Sequence, residues 1–193
     1  MSDHFRLFIA IGLPGEVRER IAALQREWQT HLRGNPVRWT PVEQIHLTLR
    51  FLGNVPSAAV PELEVALRRA CRDAAGFELS AGGCGCFPHA RQPRVLWVTV
   101  RGDVERLAAL QTRVVRETQS WGEIEAREFR AHLTIGRVTG APPPAPGEIS
   151  RCAQTLSDGE LGQWRVNEVL LMRSELSPQG ATHTVLAKAP LGH

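Results

Sequence analysis

The chain has 193 residues, 42% of them hydrophobic and 22% charged. A chain of this length buries roughly 70% of its unfolded surface, so no disulfide or metal staple is needed to hold a core. No apolar run approaches the ~20 residues of a membrane-spanning helix. The opening Met1-Ser2-Asp3-His4-Phe5-Arg6 has no basic stretch followed by a long apolar one, so we expect a cytoplasmic protein without a signal peptide. Net charge is +3, and 22 of the 23 basic residues are arginine, with Lys188 the exception. Arginine favours bidentate contact with phosphate. The mild basic excess permits an anionic partner such as RNA without requiring one. Tyrosine is absent, so stacking on a base would fall to Phe, Trp, His or Arg. Of the four cysteines, Cys84-Gly85-Cys86 is too tightly spaced for a zinc clamp, and Cys71 and Cys152 stand alone. All four are expected as free thiols.

Taken in chain order, a strand is expected over 5–11 and a helix over 15–32. The helix places Val17, Ile21, Leu24 and Trp28 on one face, with Pro14 at its start. A strand follows at 45–52. A helix over 57–74 has Ser57 as its N-cap and Leu63, Ala66, Leu67 and Ala70 inward. Further strands are expected at 77–81, 94–100, 131–138, 164–174 and 182–188. A further helix puts Val104, Leu107, Leu110 and Val114 on one face at the same spacing as the first. The Gly/Pro-rich segments 83–93 and 141–147 read as surface loops.

Two units recur along the chain. Gly15-Glu-Val-Arg-Glu-Arg-Ile-Ala-Ala-Leu-Gln25 is echoed by Gly102-Asp-Val-Glu-Arg-Leu-Ala-Ala-Leu-Gln111. Each follows an apolar strand and precedes a His-Leu-Thr tripeptide, 31 positions on from Gly15 and 30 from Gly102. The expected fold class is α+β: residues 1–193 as a single bilobal domain, two antiparallel sheet-and-helix lobes related by a pseudo-twofold axis.

The tripeptides carry the chemistry. Alternation along each strand sets His46 beside Thr48, and His132 beside Thr134, with Leu47, Leu49, Leu133 and Ile135 on the opposite face. A twofold axis would turn both pairs into one cleft. Two imidazoles across a phosphorus can divide general acid and general base between them near neutral pH. The threonine hydroxyls can donate to the non-bridging oxygens. His-x-Thr is not a zinc pattern and no third ligand stands at useful spacing, so no metal and no other cofactor is expected. By strict alternation Arg50 shares the face of His46, whereas Arg137 falls opposite His132 unless a bulge at Gly136 re-aims it. Phe51, in line with Leu47 and Leu49, reads first as core and second as a base-stacking residue. Phe87 is the better stacking candidate. Trp28 and Trp97 read as core, and Trp39 as a residue of the cleft rim.

Paired His-x-Thr motifs resemble those of the two-histidine phosphoesterase superfamily. Phe5-Arg6-Leu7-Phe8-Ile9-Ala10-Ile11, Arg38-Trp39, His46-Leu47-Thr48-Leu49-Arg50-Phe51-Leu52-Gly53, Phe87-Pro88, Pro93-Arg94-Val95-Leu96-Trp97, His132-Leu133-Thr134-Ile135-Gly136-Arg137 and Arg173-Ser174-Glu175-Leu176 are similar, in order, to the bacterial and archaeal RNA 2′,3′-cyclic phosphodiesterases, also called 2′-5′ RNA ligases. The resemblance implies a cleft between two lobes and hydrolysis of a 2′,3′-cyclic phosphate to a 2′-phosphomonoester, without ATP or metal. It implies RNA ends, tRNA fragments among them, as partner. His46 is then the acid toward the 3′ oxygen and His132 the base toward water. Thr48, Thr134 and Arg137 hold the phosphate, with Arg50 as the rival. The reverse reaction, joining a cyclic phosphate to a 5′-hydroxyl, uses the same groups. The sequence departs from the family pattern at Ala131, where proline is common, and at His183, where the family often has tyrosine. His183 reads as a surface residue or as one that adjusts substrate contact. Two other readings are a non-catalytic RNA-end binder and a phosphodiesterase for a small cyclic nucleotide. A monomer is expected, since no heptad or exposed apolar face stands out.

Overall fold

Nine strands and three α-helices are found among the described residues of the computed structural model, which are 3–32, 37–122, 128–139, 148, 161–177 and 180–192. The strands are β1 (His4–Ile11), β2 (Val37–Trp39), β3 (Leu47–Pro56), β4 (Phe77–Phe87), β5 (Val95–Gly102), β6 (His132–Val138), β7 (Gly162–Val166), β8 (Glu168–Ser177) and β9 (Gly180–Pro190). The helices are α1 (Gly15–His31), α2 (Val60–Arg72) and α3 (Val104–Glu117). The strands form a single antiparallel sheet in the order β7-β4-β5-β6-β3-β1-β8-β9, with β2 paired to β6.

The sheet has a narrow waist. β3 and β6 pair only at Leu47 and Leu133, while the neighbouring ladders run for many residues. On one side of the waist lie β7, β4, β5, β6 and β2; on the other lie β3, β1, β8 and β9. This is the expected α+β arrangement of two sheet-and-helix halves. The helices cross over between them. α1 follows β1 in sequence yet packs toward β7, and α3 follows β5 yet packs on β3. α1 buries the face its periodicity marked, Val17, Ile21, Leu24 and Trp28; α3 buries Leu107, Leu110 and Val114, but Val104, expected on that face, is exposed at the first position of the helix.

Some element boundaries differ from expectation. Ser57 makes no side-chain cap; it opens a 3-10 turn, and α2 starts three residues later at Val60 with Pro61 in its first turn. The expected loop over 83–93 is strand as far as Phe87, because Cys84, Cys86 and Phe87 continue the ladder with β5. Gly85 is tolerated there because the Trp97 ring fills its side-chain space: a Cβ would lie 2.3 Å from that ring. The single strand expected at 164–174 is two, β7 and β8. β2 was not anticipated. The proline-rich segment 141–147 and Cys152 lie outside the described residues. Cys71 and Cys86 are free thiols. No helix among the described residues is long and apolar enough to cross a membrane.

Candidate active site

β3 and β6 present the two tripeptides to a shared cavity of about 780 Å³, lined by His46, Thr48, His132 and Thr134 together with Arg137 and His183. The two histidines are held alike. His46 Nδ1 donates to the Gln44 carbonyl at 2.7 Å, and His132 Nδ1 to the Arg130 carbonyl at 2.6 Å. A carbonyl only accepts, so each Nδ1 carries a proton and each Nε2 is left for chemistry. Each ring also rests on a phenylalanine. Phe8 lies 4.7 Å from His46 between centroids, and Phe87 meets His132 edge-on at 5.1 Å.

The same irregularity follows each threonine. In the β1–β3 ladder Ala10 pairs with Thr48 and Ile9 with Arg50, so Leu49 is an extra residue. In the β5–β6 ladder Trp97 pairs with Thr134 and Leu96 with Gly136, so Ile135 is extra. A bulge of this kind shifts the alternation by one residue. Two consecutive side chains then turn away from the cavity, and the third residue after the threonine returns to it. In β6 the returning residue is Arg137; in β3 it is Phe51. Gly136 occupies the inward position against β2, where a Cβ would lie 2.7 Å from Val37.

These bulges overturn two expectations from strict alternation. Arg50 does not share the face of His46. It is buried, and its guanidinium donates to the Val115 carbonyl at 3.1 Å, the Trp121 carbonyl at 2.8 Å and Thr118 Oγ1 at 2.5 Å. It ties β3 to the end of α3. Phe51 is not core: it is 49% exposed, on the cavity side. Arg137 reaches the cavity, with the bulge at Ile135 rather than at Gly136.

A residue of each repeat closes the other repeat's bulge. Gln25, buried in α1, donates through Nε2 to the Ile135 carbonyl at 2.8 Å and to the Thr40 carbonyl at 2.8 Å. Gln111 in α3 donates to the Leu49 carbonyl at 3.4 Å. These are the final residues of the two Ala-Ala-Leu-Gln segments.

The chain belongs to the LigT-like phosphoesterase family. The family pattern, described as LigT like Phosphoesterase, matches residues 11–97 and 99–183, one stretch for each His-x-Thr motif. The chain is 32% identical over 179 residues to a protein of Methanothermobacter thermautotrophicus named RNA 2′,3′-cyclic phosphodiesterase, covering 93% of this chain and 95% of that one. It is 33% identical to a Thermus thermophilus protein of the same name, over 96% of this chain and 90% of that one. Among solved structures, TT0787 of Thermus thermophilus superposes with a TM-score of 0.77 at 32% identity, covering 97% of this chain and 99% of that one. E. coli LigT complexed with 3′-AMP superposes with a TM-score of 0.70 at 25% identity, over 98% and 99%.

Within this LigT-like site, burial pushes the His46 pKa down to about 4, partly countered by the Gln44 carbonyl and deepened by the neighbouring His183 and His132. His183, on β9, lies 5.2 Å from His46 and 4.9 Å from Phe8, and burial lowers its pKa as well. Its Nδ1 is buried without a hydrogen-bond partner. The sequence left His183 between surface and site; the structure puts it in the cavity wall. Trp39 lines the cavity as expected. Trp28 is fully buried, whereas Trp97, expected in the core, is only partly buried and lies 5.1 Å from Phe87 and 6.5 Å from His132. Sequence reasoning missed Phe8 as a site residue, because its apolar strand gives no sign of which face meets a histidine. No three His, Cys, Asp or Glu side chains among the described residues converge into a metal-binding group.

A second cavity of about 1020 Å³ adjoins the first at Thr48, Phe51 and His132. Phe87 and Phe129 give it apolar walls, and Arg94 and Arg130 give it cations.

Proposed function

We propose that this protein hydrolyses RNA 2′,3′-cyclic phosphodiester ends to 2′-phosphomonoesters through His46 and His132, without a metal ion or ATP. The observation that carries the reading is the convergence of two His-x-Thr pairs on one cavity, each Nδ1 occupied by a backbone carbonyl. The names of the relatives and the 3′-AMP bound to E. coli LigT support it.

In the proposed reaction Thr48, Thr134 and Arg137 hold the non-bridging oxygens. His132 Nε2 takes a proton from water as the water oxygen bonds to phosphorus. The P–O3′ bond breaks, and His46 Nε2 gives its proton to the departing 3′ oxygen. The products are a 2′-phosphate and a 3′-hydroxyl. In the free protein His46 is neutral at pH 7, its pKa pushed down by burial. An anionic phosphate beside Nε2 favours the protonated ring, so the substrate itself charges the acid. A neighbouring 5′-hydroxyl in place of water would give a 2′-5′ joint by the same steps, and water's excess favours hydrolysis.

The second cavity favours RNA over a lone cyclic nucleotide. An exposed phenylalanine at its mouth, aromatic walls and two arginines suit a further base and backbone phosphate. Phe51 and Phe87 are the proposed stacking residues. Binding alone would not call for paired imidazoles, which places the end-binder reading second.

The test is product analysis with a short RNA ending in 2′,3′-cyclic phosphate, in EDTA and without ATP, beside the mononucleotide 2′,3′-cyclic phosphate. The expected result is a 2′-phosphate end, with the oligonucleotide the better substrate. Binding without conversion would favour the end-binder. A preference for the mononucleotide would favour the small-nucleotide reading.

A further inference from the structure

We infer that Gln25 is a positioning residue for phosphate binding: by holding the Ile135 carbonyl it fixes the β6 bulge that aims Arg137 into the cavity, and Gln111 does the same for Phe51 through Leu49. The inference rests on reading the cavity as a phosphate site.

Arg137 reaches the phosphate side only because Ile135 is extra in its ladder. A regular strand would turn Arg137 to the opposite face. The bulge lies on the β5 side of β6, and the Ile135 carbonyl faces the other side, where the Thr40 N–H extends the pairing of β2 with β6. Ile135 is fully buried, and its carbonyl accepts from two groups: Gln25 Nε2 at 2.8 Å and the Thr40 backbone N–H at 3.0 Å. Gln25 spends its second amide hydrogen on the Thr40 carbonyl. The amide thus clips the bulge to the segment just beyond β2, which itself pairs with β6 from Val37 to Trp39.

The arrangement is duplicated. Gln111 occupies the matching place in the second repeat and donates to the matching extra residue, Leu49. Both clips reach across from one repeat to the other's His-x-Thr strand. The two bulges also differ in a way that fits the division of labour. The β6 clip is short and buried and serves a charged ligand of the phosphate. The β3 clip is longer and serves Phe51, an apolar platform at the mouth of the second cavity. A glutamine on a buried helix face has no need of its amide for helix formation, and leucine would fill the space more simply.

The experiment is a double-mutant cycle between Gln25→Leu and Arg137→Ala, read by inorganic phosphate affinity and by KM and kcat on the cyclic-ended RNA. Gln25→Leu is expected to weaken phosphate binding and raise KM about tenfold, with kcat within about threefold. In the Arg137→Ala background the same change is expected to cost less than about twofold. Full additivity of the two losses, or a fall in kcat at unchanged KM, would overturn the inference. If Gln25→Leu does not fold, Gln111→Leu with Phe51→Ala replaces it. The expected result is then a loss of the preference for oligonucleotide over mononucleotide that Phe51→Ala abolishes in advance; an additive loss overturns the inference. Phosphate affinity needs no turnover. Absent hydrolysis with an intact cycle in phosphate binding would therefore defeat the proposed activity and leave the positioning role standing.

Discussion

The depressed proton affinity of His46 makes stability pH-dependent in a defined window. Unfolded, His46 titrates near 6.5; folded, it titrates at about 4. Between these values the unfolded chain binds a proton that the native chain does not. Stability therefore falls as pH drops through 6.5 toward 4, and is fully present above 6.5. The drop from 6.5 to about 4 corresponds to roughly 3 to 4 kcal/mol. About 3 kcal/mol of that is lost by pH 4. His46→Asn removes the titration, and its amide nitrogen can replace Nδ1 as donor to the Gln44 carbonyl. Denaturant unfolding of both proteins at pH 7 and pH 4 isolates this contribution, since every other titrating group is common to both. The wild type should lose about 3 kcal/mol more than His46→Asn over that interval. Equal losses would show that the folded imidazole is not desolvated, and the argument that substrate must charge it would fail.

Three further outcomes follow from the same geometry. Binding of inorganic phosphate at pH 6 should draw a proton onto His46, seen as proton uptake in calorimetry across buffers of different ionisation enthalpy; no uptake would contradict the proposed acid role. Arg50→Met should destabilise the fold by about 3 kcal/mol in denaturant unfolding, because it strips charged donors from two carbonyls at the end of α3, while phosphate affinity per folded molecule stays within about twofold. Arg137→Ala should do the reverse, weakening phosphate binding about tenfold with little change in stability.

The repeat, the His-x-Thr tripeptides and the helix faces, Val104 apart, were legible because each is written in local periodicity. His46, Thr48, His132 and Thr134 precede the bulges, so alternation placed them correctly. Arg50, Phe51 and Arg137 follow the bulges and were misplaced or left ambiguous. A bulge is a two-against-one count between partner strands, and a single strand's pattern does not contain its partner's register. The same limit hid the role of the glutamines. Ala-Ala-Leu-Gln was visible twice, but each glutamine acts on the other repeat's strand, and the crossing of α1 and α3 between the halves is a property of the fold. Gly85 read as a loop signal because its reason, the Trp97 ring on the neighbouring strand, lies across the sheet. His183 stood in no motif, and only the pairing of β9 with β8 carries it to the cavity.

The central claim is that His46 and His132 divide one proton transfer each on a phosphate held between them. Single-turnover cleavage of the cyclic-ended RNA by wild type, His46→Ala and His132→Ala, with phosphate affinity measured beside it, tests this most directly. Each variant should lose about 10²–10⁴ in rate while inorganic phosphate still binds within about tenfold. Either variant turning over within tenfold of the wild type would contradict the two-imidazole account.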